Sequence, residues 1–159
     1  MYKIILFLVF LTSITKNIHG QIQSGPMVGH ADYREVSLWV QTVKAAKVKF
    51  NYWEKGKPAN KKTTDEVLTN KAKAFTANLI ADDAYPGKIY DYEVLVDGKV
   101  VKRNYPLTFK TQTLWQYRSE PATFTFAFGS CAYVNEPEFD RPGKGYGADY
   151  EIFTSIAAK

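Results

Sequence analysis

Cys131 is the residue whose type and position point most directly to chemistry. It is the single cysteine among 159 residues, so it cannot form an internal disulfide. It follows an apolar stretch and the pair Gly129 and Ser130, and open α/β sheets place ligand-binding residues at the carboxyl ends of their strands. Three roles stay open from position alone: an inert buried thiol, a reactive thiol, or a thiolate that binds a metal.

Three acidic residues follow the cysteine, namely Glu136, Glu138 and Asp140. Carboxylates of this kind are oxygen ligands for hard cations, although acidic loop residues are more often only solvated. A glycine-rich run from Gly143 to Gly147, with Arg141 beside it, offers backbone donors to a phosphate. No strand pattern directly precedes this run, so a flexible loop is the favoured interpretation.

His30 is the one histidine after residue 20. Neither a Ser/His/Asp triad nor a histidine-rich metal site can form in this chain without it. Its place beside Gly29 in an N-terminal segment favours a structural or surface role. The sequence therefore assigns no catalytic and no cofactor-binding residue.

The first 20 residues read as a secretory signal. Lys3 is followed by an unbroken apolar run from Ile4 to Leu11, which is far shorter than the roughly 20 residues of a membrane-spanning helix. We expect cleavage after Gly20 and a mature chain without a transmembrane segment. The protein would then be exported to a periplasmic, cell-surface or extracellular location.

Removal of residues 1–20 lowers the formal net charge from +5 to +3. The remaining lysines are scattered through alternating segments, which is typical of a solvated sheet face. A nucleic-acid groove would instead cluster its charge beside stacking aromatics, so the sequence carries no nucleic-acid signature. The lysines concerned are Lys47, Lys49, Lys71, Lys73, Lys99 and Lys102.

The body of the chain predicts an all-β sandwich. Apolar residues alternate from Val36 to Val40 and from Ala46 to Tyr52, a polar turn runs from Glu54 to Lys62, and a further strand is expected from Lys71 to Ile80 with Phe75, Ala77 and Leu79 inward. A strand from Tyr90 to Val96 leads into Asp97 and Gly98, a strong hairpin signal continued by Val100 and Val101. Leu107, Phe109 and Thr111 form one more strand.

The count of about six or seven short strands is typical of an immunoglobulin-like or fibronectin type III-like sandwich. The segment around Pro86 and Gly87 resembles the corner of fibronectin type III domains, in which a buried tyrosine hydroxyl bonds back to the upstream chain. Tyr90 is the better candidate for this tyrosine and Tyr92 the other. We place this domain at residues 21–118.

Residues 119–159 have a different character. Phe124, Phe126 and Phe128 share one face of an uncharged segment, which predicts a strand buried on both sides. A loop and an amphipathic helix from Ala148 to Lys159 follow, with Ile152, Phe153, Ile156 and Ala157 on one face. Strand, loop and helix begin an α/β crossover unit that needs a further parallel strand. We therefore expect either the N-terminal part of a longer protein or a poorly packed final segment.

Three stretches resemble the alkaline phosphatase D family of secreted metallophosphoesterases. They are SGPMVGHADYREVSLWVQT (Ser24 to Thr42), YPGKIYDYEVLVDGK (Tyr85 to Lys99), and FTFAFGSCAYVNEP with the ADYEIFTSIAAK helix (Phe124 to Pro137 and Ala148 to Lys159). In that family a fibronectin-like domain precedes an α/β metallophosphatase domain whose first strand ends in Ser-Cys. The resemblance implies that residues 119–159 begin such a domain and leave it incomplete.

The resemblance also implies a role for Cys131 as a thiolate ligand of a catalytic metal, iron accompanied by calcium. The family's other ligands come from Asp, Gly-Asp-Asn, Asn and His motifs that this sequence does not contain. The chain would then be the N-terminal portion of a secreted alkaline phosphatase or phosphodiesterase that hydrolyses a phosphoester, and would be inactive alone.

Two alternatives are kept. The first is a free-standing secreted binding module of fibronectin type III type, which recognises a protein or glycan through its loops. The second is a relative of the purple acid phosphatases, which share the order of sandwich and phosphatase but do not usually begin the catalytic domain with Ser-Cys.

Overall fold

The computed structural model describes residues 21–121, 123–126, 128–130, 134, 137–143 and 151–158. The predicted signal at residues 1–20 and the predicted metal ligand Cys131 lie outside these residues. The chain divides into two compact units, Met1–Glu120 and Pro121–Lys159.

The first unit is a β-sandwich, as the alternating pattern predicts. A three-stranded sheet has the order β1-β2-β6, and a six-stranded sheet has the order β4-β3-β7-β8, with β5 paired to β3 and β9 paired to β7. The described strands are β1 (Ile22–Ala31), β2 (Val36–Thr42), β3 (Lys47–Glu54), β4 (Lys62–Thr63), β5 (Val67–Leu68), β6 (Thr76–Ala81), β7 (Ile89–Val96), β8 (Lys99–Val101) and β9 (Thr108–Lys110).

The core lies between the two sheets, where the period-two alternation places it. In β2 the apolar residues Val36, Leu38 and Val40 are fully buried, and the intervening residues face outward. β3 and β7 pair from Val48 opposite Val96 to Glu54 opposite Tyr90, so their inward residues meet in register. A strand with one buried face must keep this register, because a slip by one residue would expose its whole apolar set.

The hairpin at Asp97 and Gly98 is confirmed. Their φ angles are 49° and 75°, the left-handed values that both central residues of a type I′ turn need. Val96 pairs with Lys99 immediately across the turn. Asp97 also accepts a hydrogen bond at its Oδ1 from the Lys47 N–H, at 2.9 Å, which ties the turn to the neighbouring strand.

The prediction of a strand from Lys71 to Ile80 is wrong for the residues before Thr76. Residues Lys71–Lys73 form a 3-10 turn, because the Asn70 side chain caps it by accepting from the Lys73 N–H at 3.1 Å. Ala74 and Phe75 then take φ angles of 49° and 56°, so β6 begins only at Thr76. Phe75 is consequently half-buried, whereas Ala77 and Leu79 are buried as predicted.

The sequence pattern does not predict β1, because this strand has no alternating apolar signal. It contains Pro26, which cannot donate to a ladder and is therefore found on edge strands, and its pairing with β2 shifts register three times. Its position is secured from the segment between β8 and β9. Arg103 donates to the Gly25 carbonyl from Nε at 2.8 Å and also from Nη2, and the Tyr105 hydroxyl donates to the Pro26 carbonyl at 3.2 Å.

Threonine hydroxyls complete the hydrogen bonding where the strands are too short to do so. Thr69 accepts from the Ala46 N–H and Thr64 accepts from the Phe50 N–H, both at 3.0 Å. Thr111 accepts from the Lys88 N–H at 3.0 Å and donates to the Tyr85 carbonyl at 2.6 Å. These three side chains are buried, so the bonds prevent a costly loss of backbone pairing in the interior.

The tyrosine corner is confirmed, with Tyr90 as its tyrosine. The Tyr85 N–H donates to the Tyr90 hydroxyl oxygen at 2.7 Å, and Tyr90 is 2% exposed. Its ring stacks on Phe109, with centroids 5.1 Å apart and planes 13° apart. The upstream chain is therefore joined to the aromatic core by one phenolic oxygen.

Replacement of Tyr90 by Phe should lower the free energy of unfolding by about 1–3 kcal/mol, because the Tyr85 N–H would lose its acceptor. Chemical denaturation of Tyr90→Phe and of the matched control Tyr117→Phe tests this, since Tyr117 is 97% exposed. Equal unfolding free energies for the two variants would contradict the assigned role of the hydroxyl.

Tyr92 should make the sandwich sensitive to alkali. Burial, with a smaller contribution from Tyr105, raises the pKa of Tyr92 from 10.0 to about 12. The neutral phenol is favoured in the folded state, so this stability is complete below pH 10 and is lost as the pH rises towards 12, by about 3 kcal/mol at most. Urea denaturation below and above pH 10 should show a smaller alkaline loss for Tyr92→Phe than for the wild type. Identical losses would be the contrary result.

Candidate functional site

The predicted site residues fall mostly outside the described part of the chain. Cys131, Glu136 and the segment 144–147 of the glycine-rich run belong to this group. The assignment of Cys131 as a metal ligand therefore stays a prediction. Of its neighbours, Gly129 and Ser130 are described, as are Glu138 and Asp140.

The phenylalanines before the cysteine are exposed rather than buried. Phe124, Phe126 and Phe128 are 80%, 73% and 91% exposed, and residues 123–126 and 128 are not in a strand. The prediction of a strand buried on both faces is thus wrong for the described residues. Burial on both faces needs a paired sheet with cover on each side, and these side chains have no such surroundings.

Two acids of the loop, Glu138 and Asp140, lie among the described residues. Glu138 lies in a 3-10 turn, Pro137–Phe139, and Asp140 accepts from the Arg141 N–H at 2.8 Å through Oδ1. Within the described residues, no group of three His, Cys, Asp or Glu side chains is placed to hold a metal ion. Cys131 and Glu136 lie outside these residues, so the iron and calcium that the resemblance implies stay a prediction.

The predicted amphipathic helix is present as α1 (Glu151–Ala157), while residues 148–150 and 159 lie outside the described part. Its apolar residues Ile152, Phe153 and Ile156 are about half exposed, at 55%, 49% and 49%. The second unit thus presents apolar side chains on both its helix and its phenylalanine segment. Among the described helices, none has the length and apolar character needed to cross a bilayer.

The outer face of the six-stranded sheet is charged and internally paired. Lys47 and Lys49 both approach Glu66, at 3.5 and 3.9 Å. Lys61 contacts Glu93 at 2.9 Å and lies 4.6 Å from the centre of the Trp53 ring. Of the six lysines predicted to lie on a solvated face, Lys47 and Lys49 are thus paired with an acid, whereas Lys71 and Lys73 lie in a 3-10 turn.

The Glu93 carboxylate on this face is stabilised in its charged form by two hydrogen bonds. Burial opposes its ionisation, but hydrogen bonds from the Asn51 side chain at 2.8 Å and from Lys61 at 2.9 Å outweigh that effect and lower the pKa of Glu93. The carboxylate is therefore committed to structure, and it is not placed as a general acid or base.

A small pocket lies beside the tyrosine corner. It has a volume of about 70 Å³ and is lined by Glu54, Asn60, Lys62, Tyr85 and Tyr90. Ligand pockets typically enclose about 300–1,000 Å³, so this pocket is too small for a phosphoester substrate. Its cation is also engaged, because Lys62 contacts the Asp83 carboxylate at 2.7 Å.

Two further features were missed by sequence reasoning. Met27, Trp39 and Asn78 lie opposite one another across the three-stranded sheet and are all uncharged. The outward residues of β2 could have indicated an uncharged outer face. A second pocket of about 270 Å³ includes Gln21 in its lining, and no sequence signal marks it. His30, by contrast, is exposed in β1, in agreement with a surface role.

The exposed phenylalanines should bind an apolar dye. We expect the triple variant Phe124→Ser, Phe126→Ser, Phe128→Ser to lose most anilinonaphthalene sulfonate fluorescence while the unfolding free energy of the sandwich stays within about 0.5 kcal/mol, since exposed side chains contribute little to folding. Phe109→Ser is the matched control, because Phe109 is 4% exposed and its loss should cost about 3 kcal/mol or more. A triple variant as unstable as this control would contradict the prediction.

Comparisons with solved structures find distant similarities. The sensor domain of the anti-sigma factor RsgI4 from Pseudobacteroides cellulosolvens is 21% identical, with 62% of this chain and 92% of that chain covered and a TM-score of 0.43. The structure of PhoD is 18% identical, with 68% of this chain covered and a TM-score of 0.48. This chain spans only 21% of PhoD. The fn3 domain of human contactin 1 is 16% identical, with 70% of this chain and 97% of that chain covered and a TM-score of 0.36.

At such identities and TM-scores these similarities assign no function. Among curated proteins, none matches the chain. One family does match, the one described as "Domain of unknown function (DUF7800)", over residues 19–130. Since this match covers well over half of the 159 residues, the chain belongs to the DUF7800 family.

Proposed function

We propose that this chain supplies the N-terminal sandwich and the first metal ligand of a secreted, metal-dependent phosphoesterase of the alkaline phosphatase D type. The observation that carries the proposal is the Phe-Gly-Ser-Cys sequence at residues 128–131, which follows a fibronectin-like β-sandwich in the chain. The resembling family has the same order of sandwich and Ser-Cys element.

Exposed apolar side chains in the second unit support the proposal. Burial of a large apolar side chain contributes about 1.5–3 kcal/mol, so a segment that exposes several of them gains considerably from a covering layer. A completed α/β domain would provide one. The side chains concerned are Phe124, Phe126, Phe128, Ile152, Phe153 and Ile156.

Cys131 is the residue that we assign to the metal in this proposal. A metal-bound thiol is deprotonated by the cation, and the resemblance points to iron with accompanying calcium. One thiolate cannot hold such a centre, so the remaining ligands would come from other parts of the whole protein. The chain by itself is then a scaffold and not a catalyst.

The first test uses the 159-residue chain itself. Purified and supplied with Fe³⁺ and Ca²⁺, it should show no hydrolysis of bis-p-nitrophenyl phosphate above the metal-only control, because it lacks a complete ligand set. Hydrolysis that is abolished by a chelator would contradict the assignment of the chain as a scaffold.

The second test uses the whole protein that the proposal implies. Cys131→Ser should lose bound iron, measured by elemental analysis, together with phosphodiesterase activity, whereas the control Ser119→Ala, at an exposed position, should keep both. Full iron content in Cys131→Ser would remove the cysteine from the metal site. Ligand binding retained by residues 21–118 alone, without any hydrolase activity in the whole protein, would favour a free-standing binding module instead.

A further inference from the structure

β6 forms one edge of the three-stranded sheet. It pairs with β2 on one side and with no described strand on the other. Continued by one residue, the register of this pairing places Thr42 opposite Phe75, and the Thr42 N–H donates to the Phe75 carbonyl at 3.0 Å. In an antiparallel ladder every second residue directs its backbone groups at the same neighbour. The intervening residues Thr76, Asn78 and Ile80 therefore direct their N–H and C=O groups away from β2.

The edge at β6 differs from the other described edges of the sandwich. β1 contains Pro26 and shifts its register with β2 three times, while β4, β5, β8 and β9 are only two or three residues long. Proline, irregular pairing, lysine and short length are the features that keep natural edge strands from pairing with another chain. β6 runs for six residues with no charge, no proline and no register shift. Asn78 and Ile80 are exposed.

We propose that β6 pairs with β6 of a second copy of this chain, antiparallel and about a two-fold axis at Asn78. Asn78 would then lie opposite its own counterpart, and Thr76 would lie opposite Ile80 on either side of the axis. Each of these is a hydrogen-bonded pair, in which both residues exchange their N–H and C=O groups. This single register satisfies every outward backbone group of Thr76, Asn78 and Ile80 in both copies.

The chemistry of the edge favours a second copy as the occupant. Backbone donors and acceptors that repeat along a strand are matched by another extended chain. A two-fold pair of identical strands also brings identical or uncharged side chains together, and here Asn78 meets Asn78 and Thr76 meets Ile80. Like charges directly opposite each other would destabilise such a pair, and β6 contains none.

The size of the edge sets the strength of the association. A strand of six residues is about 20 Å long, so its edge covers much less than the roughly 800 Å² per partner of a standard interface. The dimer should therefore form reversibly and only at high protein concentration. This inference is independent of the phosphoesterase proposal, because it depends on β6 alone.

The test is sedimentation velocity of the 159-residue chain between about 10 μM and 1 mM, a range that covers weak association. The background is the triple variant Phe124→Ser, Phe126→Ser, Phe128→Ser, since exposed phenylalanines could associate by themselves. We expect a monomer–dimer equilibrium, weakened about fivefold or more by Asn78→Lys and likewise by Asn78→Asp. An equimolar mixture of these two variants should regain the dimer, because opposite charges would then meet at the axis. The control Met27→Lys, at an exposed position of β1, should associate as its parent does.

Each result supports or overturns the pairing. A monomer throughout the range, equal weakening by Met27→Lys, or a mixture that stays monomeric would overturn it. Amide hydrogen exchange of the unsubstituted β6 gives a second measurement. The N–H groups of Thr76, Asn78 and Ile80 should exchange more slowly as the protein concentration rises, whereas that of Leu79, which faces β2, should not change. Exchange of the first three at one rate at all concentrations would also overturn the pairing and leave the phosphoesterase proposal intact.

Discussion

Two buried tyrosine hydroxyls hold the connection between the sheets, and the geometry of the sandwich depends on them. The Asp83 N–H donates to Tyr52 at 3.3 Å and the Tyr85 N–H donates to Tyr90 at 2.7 Å. Both tyrosines lie on the six-stranded sheet, whereas the residues they hold follow β6 of the other sheet. A connection that carried unpaired backbone donors over an apolar core would be unstable, so these hydroxyls fix where the chain crosses.

Local signals explain why much of the sandwich could be predicted. The alternation in β2, β3 and β7 and the turn residues Asp97 and Gly98 act within a few residues of chain, so the sequence alone reveals them. The cap at Asn70 is also a local signal. It competes with a strand pattern at the same residues, and a 3-10 turn forms there instead of a strand. β1 depends on distant partners such as Arg103, and no window of sequence contains that information.

The candidate site shows the same difference between features that depend on local sequence and features that depend on distant residues. The Ser-Cys element around Cys131 is a contiguous motif and can be found in the sequence, whereas a ligand set is assembled from distant strands and cannot be predicted from one of them. The exposure of Phe124 and its neighbours also depends on distant parts of the chain. An alternating apolar pattern forms a strand only where another strand of a sheet can pair with it. The edge position of β6 is a further case of this kind, since only a three-dimensional structure reveals it.

The contacts from the segment between β8 and β9 have a mechanical consequence. Arg103 and Tyr105 hold the carbonyls of Gly25 and Pro26, so β1 is braced on one side by its ladder with β2 and on the other by side chains. A force applied at the N-terminus would have to break both sets of bonds together instead of unzipping β1 one residue at a time. The N-terminal strand would thus resist extension as a unit.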